Sequence, residues 1–97
     1  MILTTEIISD ALKPLIKKYD LEKVDLFGSY AMGTATDKSD IDLMVKFIQP
    51  VPSIFAVMGL REELMNSLKI SMDIVTLPVI LPEYLKPERV VNIYERT

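Results

Sequence analysis

The stretch from Asp40 to Phe47 alternates without a break: Ile41, Leu43, Val45 and Phe47 fall on one side, and Asp40, Asp42, Met44 and Lys46 on the other. Successive side chains on a strand point to opposite faces, so this pattern demands a β-strand with one face set into an apolar core. A strand needs partners and a covering layer, and the flanking segments offer both. Thr4 or Thr5 can cap a helix reaching to about Tyr19, with Ile7, Ile8, Leu12, Leu15 and Ile16 spaced for one apolar face. Pro14 is expected to kink that helix or to mark a restart one turn in. Val24 to Phe27 reads as a short strand cut off at Gly28-Ser29. Ser29 to Gly33 then reads as a turn or short helix start, and Thr34 to Ser39 as a polar turn.

Beyond the alternating strand, Gln49-Pro50-Val51-Pro52 stops the chain and Ser53 can cap a second long helix ending near Leu68. Its expected buried stripe is Phe55, Val57, Met58, Leu60, Leu64, Met65 and Leu68, with Gly59 costing roughly 1 kcal/mol of helix propensity. Ser71 to Leu77 is a third strand, where Met72, Ile74 and Thr76 alternate with Asp73 and Val75. Pro78 to Pro87 is apolar and broken by three prolines, and Glu88 to Arg96 is expected to form a short terminal helix. The order helix, strand, strand, helix, strand, helix predicts an α/β (α+β) fold, a small mixed β-sheet with helices packed on one side, as one domain over residues 1–97.

Ninety-seven residues, 49% of them apolar, are enough for one core and too few for two. The chain has neither cysteine nor histidine. That excludes disulfides, thiolate and imidazole metal sites, and every Ser–His or Cys–His mechanism. Catalysis would rest on carboxylates, hydroxyls, Lys, Arg and a hard cation such as Mg²⁺ or Mn²⁺ that prefers oxygen ligands. A net charge of −3 with no long basic run disfavours direct nucleic-acid binding. The opening MILTTEIISDALK lacks the charged and apolar regions of a secretory leader. No apolar run approaches the roughly 18 residues of a membrane span, so no membrane association and a cytoplasmic location are expected.

Asp40 and Asp42 lie two residues apart on one strand, so their carboxylates share a face within a few ångströms. Like charges that close repel, and a divalent cation shared between them removes the conflict. Asp73 lies on another strand, next to a core position, and also faces away from the apolar side. Three such aspartates suit one or two metals in phosphoryl or nucleotidyl transfer. Taken alone, the D-x-D pair is most often a solvated face or turn, and Asp73 an exposed strand residue. Gly28 lets the backbone turn and approach a ligand, and Ser29 offers a hydroxyl and an amide to phosphate oxygens. Alone, that pair is an ordinary strand-to-helix turn.

Together these residues resemble something more specific. LFGSYAMGTATDKSDIDLMV, from Leu26 to Val45, is similar to the signature of the nucleotidyltransferase superfamily related to DNA polymerase β: an apolar strand, G-S, a spacer of about ten residues, then D-x-D. The fuller form, G-S-x-A-x-G with S-D-I-D-L, resembles the minimal nucleotidyltransferases of bacteria and archaea, and Asp73 in SMDIVTL sits where that family keeps its third carboxylate. The likeness spans about Asp20 to Tyr94.

It implies a polymerase β palm-like fold in which Gly28 and Ser29 hold the β/γ-phosphates of ATP. Asp40 and Asp42 would coordinate Mg²⁺, and Asp73 would bind a second Mg²⁺ and help deprotonate the acceptor hydroxyl. Met32 departs from the arginine that many relatives carry before the second glycine. The missing charge would come from Lys38, Lys46 or a partner, or Met32 simply packs.

Many superfamily members add an acceptor-binding domain; minimal ones pair with a helical HEPN-type toxin. The resemblance therefore implies an antitoxin that transfers AMP from ATP to a toxin tyrosine. The alternative is a catalytically weak antitoxin that neutralises by binding, and a small-molecule transferase is a third reading. A catalytic face without an acceptor pocket calls for a protein partner or another subunit, so a homo-oligomer stays open. Val75 to Pro87 is a candidate docking surface or a cover for the core. Tyr30 is a nucleotide-stacking, self-modification or packing residue.

Overall fold

The computed structural model describes residues 2–49, 52–77 and 89–96. Thr4 caps the first helix, its hydroxyl accepting the Ile7 N–H at 3.2 Å. That helix (α1, Thr5–Lys18) runs through Pro14 without a restart. Pro14 lies on the exposed side, so the carbonyl that loses its N–H partner is on the water side. Ile8, Leu12 and Leu15 are buried, whereas Ile7 remains 41% exposed and does not join the core face.

Asp20, in the left-handed region (φ 52), turns the chain into β1 (Leu21–Phe27). This strand starts three residues before the expected Val24, because a register shift between Leu21 and Lys23 interrupts its alternation. After Gly28 comes a single helical turn (α2, Ser29–Met32), then β2 (Ile41–Phe47) on the expected register, with Ile41, Leu43 and Val45 fully buried. The Ser53 hydroxyl accepts the Phe55 N–H at 3.1 Å and starts α3 (Ile54–Leu68), which ends on Lys69 in the left-handed conformation. β3 (Met72–Leu77) follows.

Two expectations are corrected. The terminal helix over Glu88 to Arg96 is not formed: residues Val91–Glu95 are a strand, β4, paired with β1. Val90, Val91 and Ile93 are β-branched, and the free edge of β1 supplies the ladder that such residues favour. Nor is the stripe on α3 as drawn. Leu60 and Leu64 are fully buried, but Phe55 is 81% and Met58 58% exposed. The apolar segment after Leu77 falls on residues 78–88, outside the described residues.

The sheet order is β3-β2-β1-β4, with β1 antiparallel to both its neighbours and β2 parallel to β3. A parallel pair needs a crossover, and α3 is that crossover. α1 and α3 pack on each other and on one face of the sheet, where Ile8, Leu12, Leu60 and Leu64 meet Val24, Leu26, Leu43 and Val45 in one cluster. Gly59 has a local reason: the Tyr19 side chain crosses α3 there, and a Cβ at position 59 would lie 2.8 Å from its hydroxyl. That hydroxyl donates to Glu63, which Lys18 also grips at 3.0 Å, tying the end of α1 to α3.

Leu64→Ala is expected to cost about 3 kcal/mol, read as a lower urea midpoint at unchanged slope. Phe55→Ser, despite removing a larger apolar group, should stay within about 0.5 kcal/mol.

Candidate active site

The helices cover one face of the sheet; the other carries the polar positions of β1, β2 and β3. The parallel register sets Asp42 beside Asp73, and the antiparallel register sets Asp42 beside Phe27. Residues in register on neighbouring strands share a face, about 4.8 Å apart in the backbone. Two of the three expected carboxylates are therefore cross-strand neighbours, at the end of the sheet where β1 gives way to Gly28. Asp40 lies just before β2, exposed, as is Asp73; Asp42 is half-buried between them.

Gly28 closes this corner. It adopts a positive φ of 71°, and a Cβ there would fall inside the van der Waals shell of the Asp42 carboxylate oxygen. Only glycine allows the strand to turn here with Asp42 pressed against its backbone. Ser29 and Tyr30 begin α2, so their N–H groups have no acceptor within that helix.

Burial pushes the Asp42 carboxyl above its ordinary range, and the charges of Asp73 and then Asp40 add to the rise. Four other acidic side chains have cationic partners: Asp10 with Lys13, Glu22 with Lys46, Asp25 with Lys23 and Glu63 with Lys18. Among the described residues no Lys or Arg pairs with Asp40, Asp42 or Asp73. Nor do any three acidic side chains there converge into a ready-made metal cage. The donor set nevertheless suits a magnesium ion, which is commonly held by one or two carboxylates and completed by phosphate oxygens and water. An uncompensated carboxylate pair beside a side-chain-free turn meets that requirement.

The remaining candidates separate. Lys46 is four residues along β2 from Asp42, about 13 Å away, and it is bound to Glu22 at 2.9 Å. Lys38 lies in the turn before Asp40, where its N–H bonds the Thr36 hydroxyl. Met32 is 41% exposed. The ring of Tyr30 packs against the core, and its buried hydroxyl has no hydrogen-bond partner among the described residues. Sequence reading missed Asp25, which is buried on the same open face and held by Asn92 Nδ2 at 2.9 Å and Lys23 at 3.5 Å. Its one signal was a charge inside an otherwise apolar Val24–Phe27 run.

This arrangement can be compared with known proteins. Residues 10–95 match the Polymerase beta, Nucleotidyltransferase family. Two proteins of Methanocaldococcus jannaschii, provisionally named protein adenylyltransferases, are 33% and 39% identical over 81 and 82 residues, each alignment covering 84% of this chain and 82% of the relative. The protein adenylyltransferase MntA of Thermococcus cleftensis is 33% identical over 63 residues, 65% of this chain and 63% of that protein.

Among solved structures, one described as a minimal nucleotidyltransferase superposes with a TM-score of 0.68 at 27% identity, covering 84% of this chain and 86% of the other. A toxin–antitoxin complex with AMP-PNP contains a chain of the same fold, with a TM-score of 0.74 at 23% identity, covering 91% and 73%. The chain thus belongs to the polymerase β-type nucleotidyltransferases, an enzyme family, and within it to the minimal members named as protein adenylyltransferases.

The raised Asp42 carboxyl makes a pH prediction. A carboxyl whose pKa is higher folded than unfolded favours the folded state when protonated, and that contribution is lost as pH rises from the ordinary Asp value through the raised one. Without divalent cations, Asp42→Asn should therefore melt higher than wild type at neutral pH, and the gap should close as pH falls toward about 4. Parallel thermal melts across that range provide the check.

Proposed function

We propose that this chain transfers AMP from ATP to a hydroxyl, with Asp42, Asp73 and Asp40 holding Mg²⁺ and Gly28 and Ser29 holding the β/γ-phosphates. The observation that carries this reading is the in-register Asp42–Asp73 pair set against Gly28. Magnesium, when bound, neutralises the carboxylates and the phosphate charge that grows during transfer. The chain's own groups do the rest. Gly28 leaves room for phosphate at the corner, and Ser29 contributes its hydroxyl and the free N–H groups at the start of α2. Asp73, exposed at the edge strand, is the carboxylate an incoming acceptor meets first and takes its proton. The acceptor oxygen bonds to the α-phosphorus, the bond from that phosphorus to the bridging oxygen breaks, and pyrophosphate leaves.

The acceptor we propose is a tyrosine of a HEPN-type helical toxin, which makes this chain the antitoxin of a cytoplasmic pair. Support comes from relatives named protein adenylyltransferases and from structural neighbours. One of these is described as a tri-AMPylated HEPN toxin of Shewanella oneidensis in complex with its MNT antitoxin; this chain's fold superposes on a chain in it with a TM-score of 0.69 at 18% identity, covering 96% of this chain and 74% of the other. Among the described residues no helix is long and apolar enough to cross a membrane.

The test is incorporation of labelled AMP from ATP and Mg²⁺ into the cognate HEPN protein. Asp40→Ala with Asp42→Ala should lower incorporation by at least about a hundredfold and should end neutralisation of the toxin in cells. A double variant that still neutralises fully would replace this reading with steric inhibition by binding.

A further inference from the structure

β3 is an edge strand of the described sheet, so half of its backbone groups have no neighbouring strand to meet. The Ile41 N–H donates to the Ser71 carbonyl at 3.0 Å, which fixes the phase of the ladder. Backbone groups alternate in direction along a strand. Those of Asp73 and Val75 therefore turn toward β2, and those of Met72, Ile74 and Thr76 turn outward. One outward group is taken: the Met72 carbonyl accepts from Arg61 Nε at 2.8 Å. Among the described residues nothing bonds the outward N–H and carbonyl groups of Ile74 and Thr76. The strand, MDIVTL, holds neither the lysine nor the proline that commonly blunts an edge.

The Arg61 contact also orients α3. Ile54 and Met58 lie at i−7 and i−3 from Arg61, so all three share one side of the helix, the side that looks over this edge. Ile54 is 68% and Met58 58% exposed. As the crossover between parallel strands, α3 runs antiparallel to β3. With Arg61 at Met72, Met58 and Ile54 come roughly level with Ile74 and Thr76. An open strand edge beside an apolar helix side is an arrangement that takes up extended peptides. Backbone hydrogen bonds give the affinity there, and alternate side chains the specificity.

We infer that an extended segment of the acceptor protein adds to this edge as a further strand. This rests on the nucleotidyl-transfer reading above and names how its acceptor is presented. The occupant follows from what the edge offers: hydrogen bonds that an extended backbone answers, and, on the same strand, a carboxylate that has to meet the acceptor hydroxyl. Side chains alternate on the added strand, so those beside Ile74 and Thr76 turn to the helix side and cover Met58 and Ile54. The residue beside Asp73 stands on the open face, about 4.8 Å away in the backbone, with Asp42 one strand further. A tyrosine there reaches back over Asp73 toward the metal-binding carboxylates. The acceptor segment therefore carries apolar residues one and three positions from its tyrosine.

Amide hydrogen exchange on the ¹⁵N-labelled full chain, alone and with its cognate HEPN-type protein, tests this. Alone, Ile74 and Thr76 should exchange at least about tenfold faster than Asp73 and Val75, whose N–H groups bond β2. With saturating partner, Ile74 and Thr76 should slow about tenfold or more. Met58→Glu, and separately Thr76→Pro, should raise KM for the acceptor about tenfold and leave kcat and KM for ATP within about twofold. The melting temperature is the folding control, because Met58 is exposed and the Thr76 N–H serves no bond within the described residues. If Thr76→Pro melts lower, Met58→Glu carries the test.

Unchanged exchange at Ile74 and Thr76 in a complex that still transfers AMP overturns the docking and leaves transfer standing. So does slowing of these amides in the chain alone as its concentration rises, which assigns the edge to a second copy. Slowed exchange with no AMP transfer overturns acceptor presentation together with transfer and leaves the edge a site of steric binding. Unchanged exchange without transfer removes both.

Discussion

Like charges set side by side on a sheet repel, and the pairing of β2 with β3 enforces that arrangement at Asp42 and Asp73. The pairing is not local. It is made by α3, which carries the chain from the end of β2 back to the start of β3 and seals the crossover by burying Leu60 and Leu64 against the sheet. The core thus pins two strands whose outward residues would otherwise separate, and the energy of apolar burial maintains an electrostatic conflict at the surface. Gly28 admits the Asp42 carboxyl against the backbone, and partial burial is the main cause of its raised pKa, with the charges of Asp73 and Asp40 adding to it. Local strain of this kind, held in place by packing elsewhere, characterises sites whose stability is completed by a ligand.

Most of the fold could be read from the chain because its strongest elements have clean periods and clear caps. β2 alternates without fault, and the serine and threonine that open α3 and α1 cap them as expected. The failures have physical causes. β4 reads as a helix in sequence because Val91, Ile93 and Tyr94 lie in a short charged segment with no decisive period. Only the free edge of β1, a tertiary fact, decides in favour of a strand. The early part of β1 was overlooked because its register shift puts Glu22 and Lys23 where alternation would place one residue. On α3, Phe55 and Met58 are apolar but lie on its solvent face, while Ala56, Val57, Leu60 and Leu64 turn inward, and hydrophobicity alone does not separate the two sides.

The candidate site was legible in a different way. The aspartates and the glycine–serine pair were found from their types and spacing, but one strand's sequence cannot say which residue of another lies beside it. Register supplied that, and with it the pairing of Asp42 with Asp73 and the approach of Gly28. Asp10, Glu22, Asp25 and Glu63 are matched with lysines, while among the described residues the carboxylates at the end of β2 and β3 are not.

The claim beneath this account is that the unmatched carboxylates form one cation site with the glycine corner. Adding Mn²⁺ to ¹⁵N-labelled protein and following amide line broadening tests it directly, because a paramagnetic ion erases the signals of nearby groups first. The account predicts early, joint loss of the Gly28, Asp42 and Asp73 amides, with those of Phe55 and Met58 at the far end of α3 persisting. Broadening that begins elsewhere, or that takes Asp42 without Asp73, would contradict it.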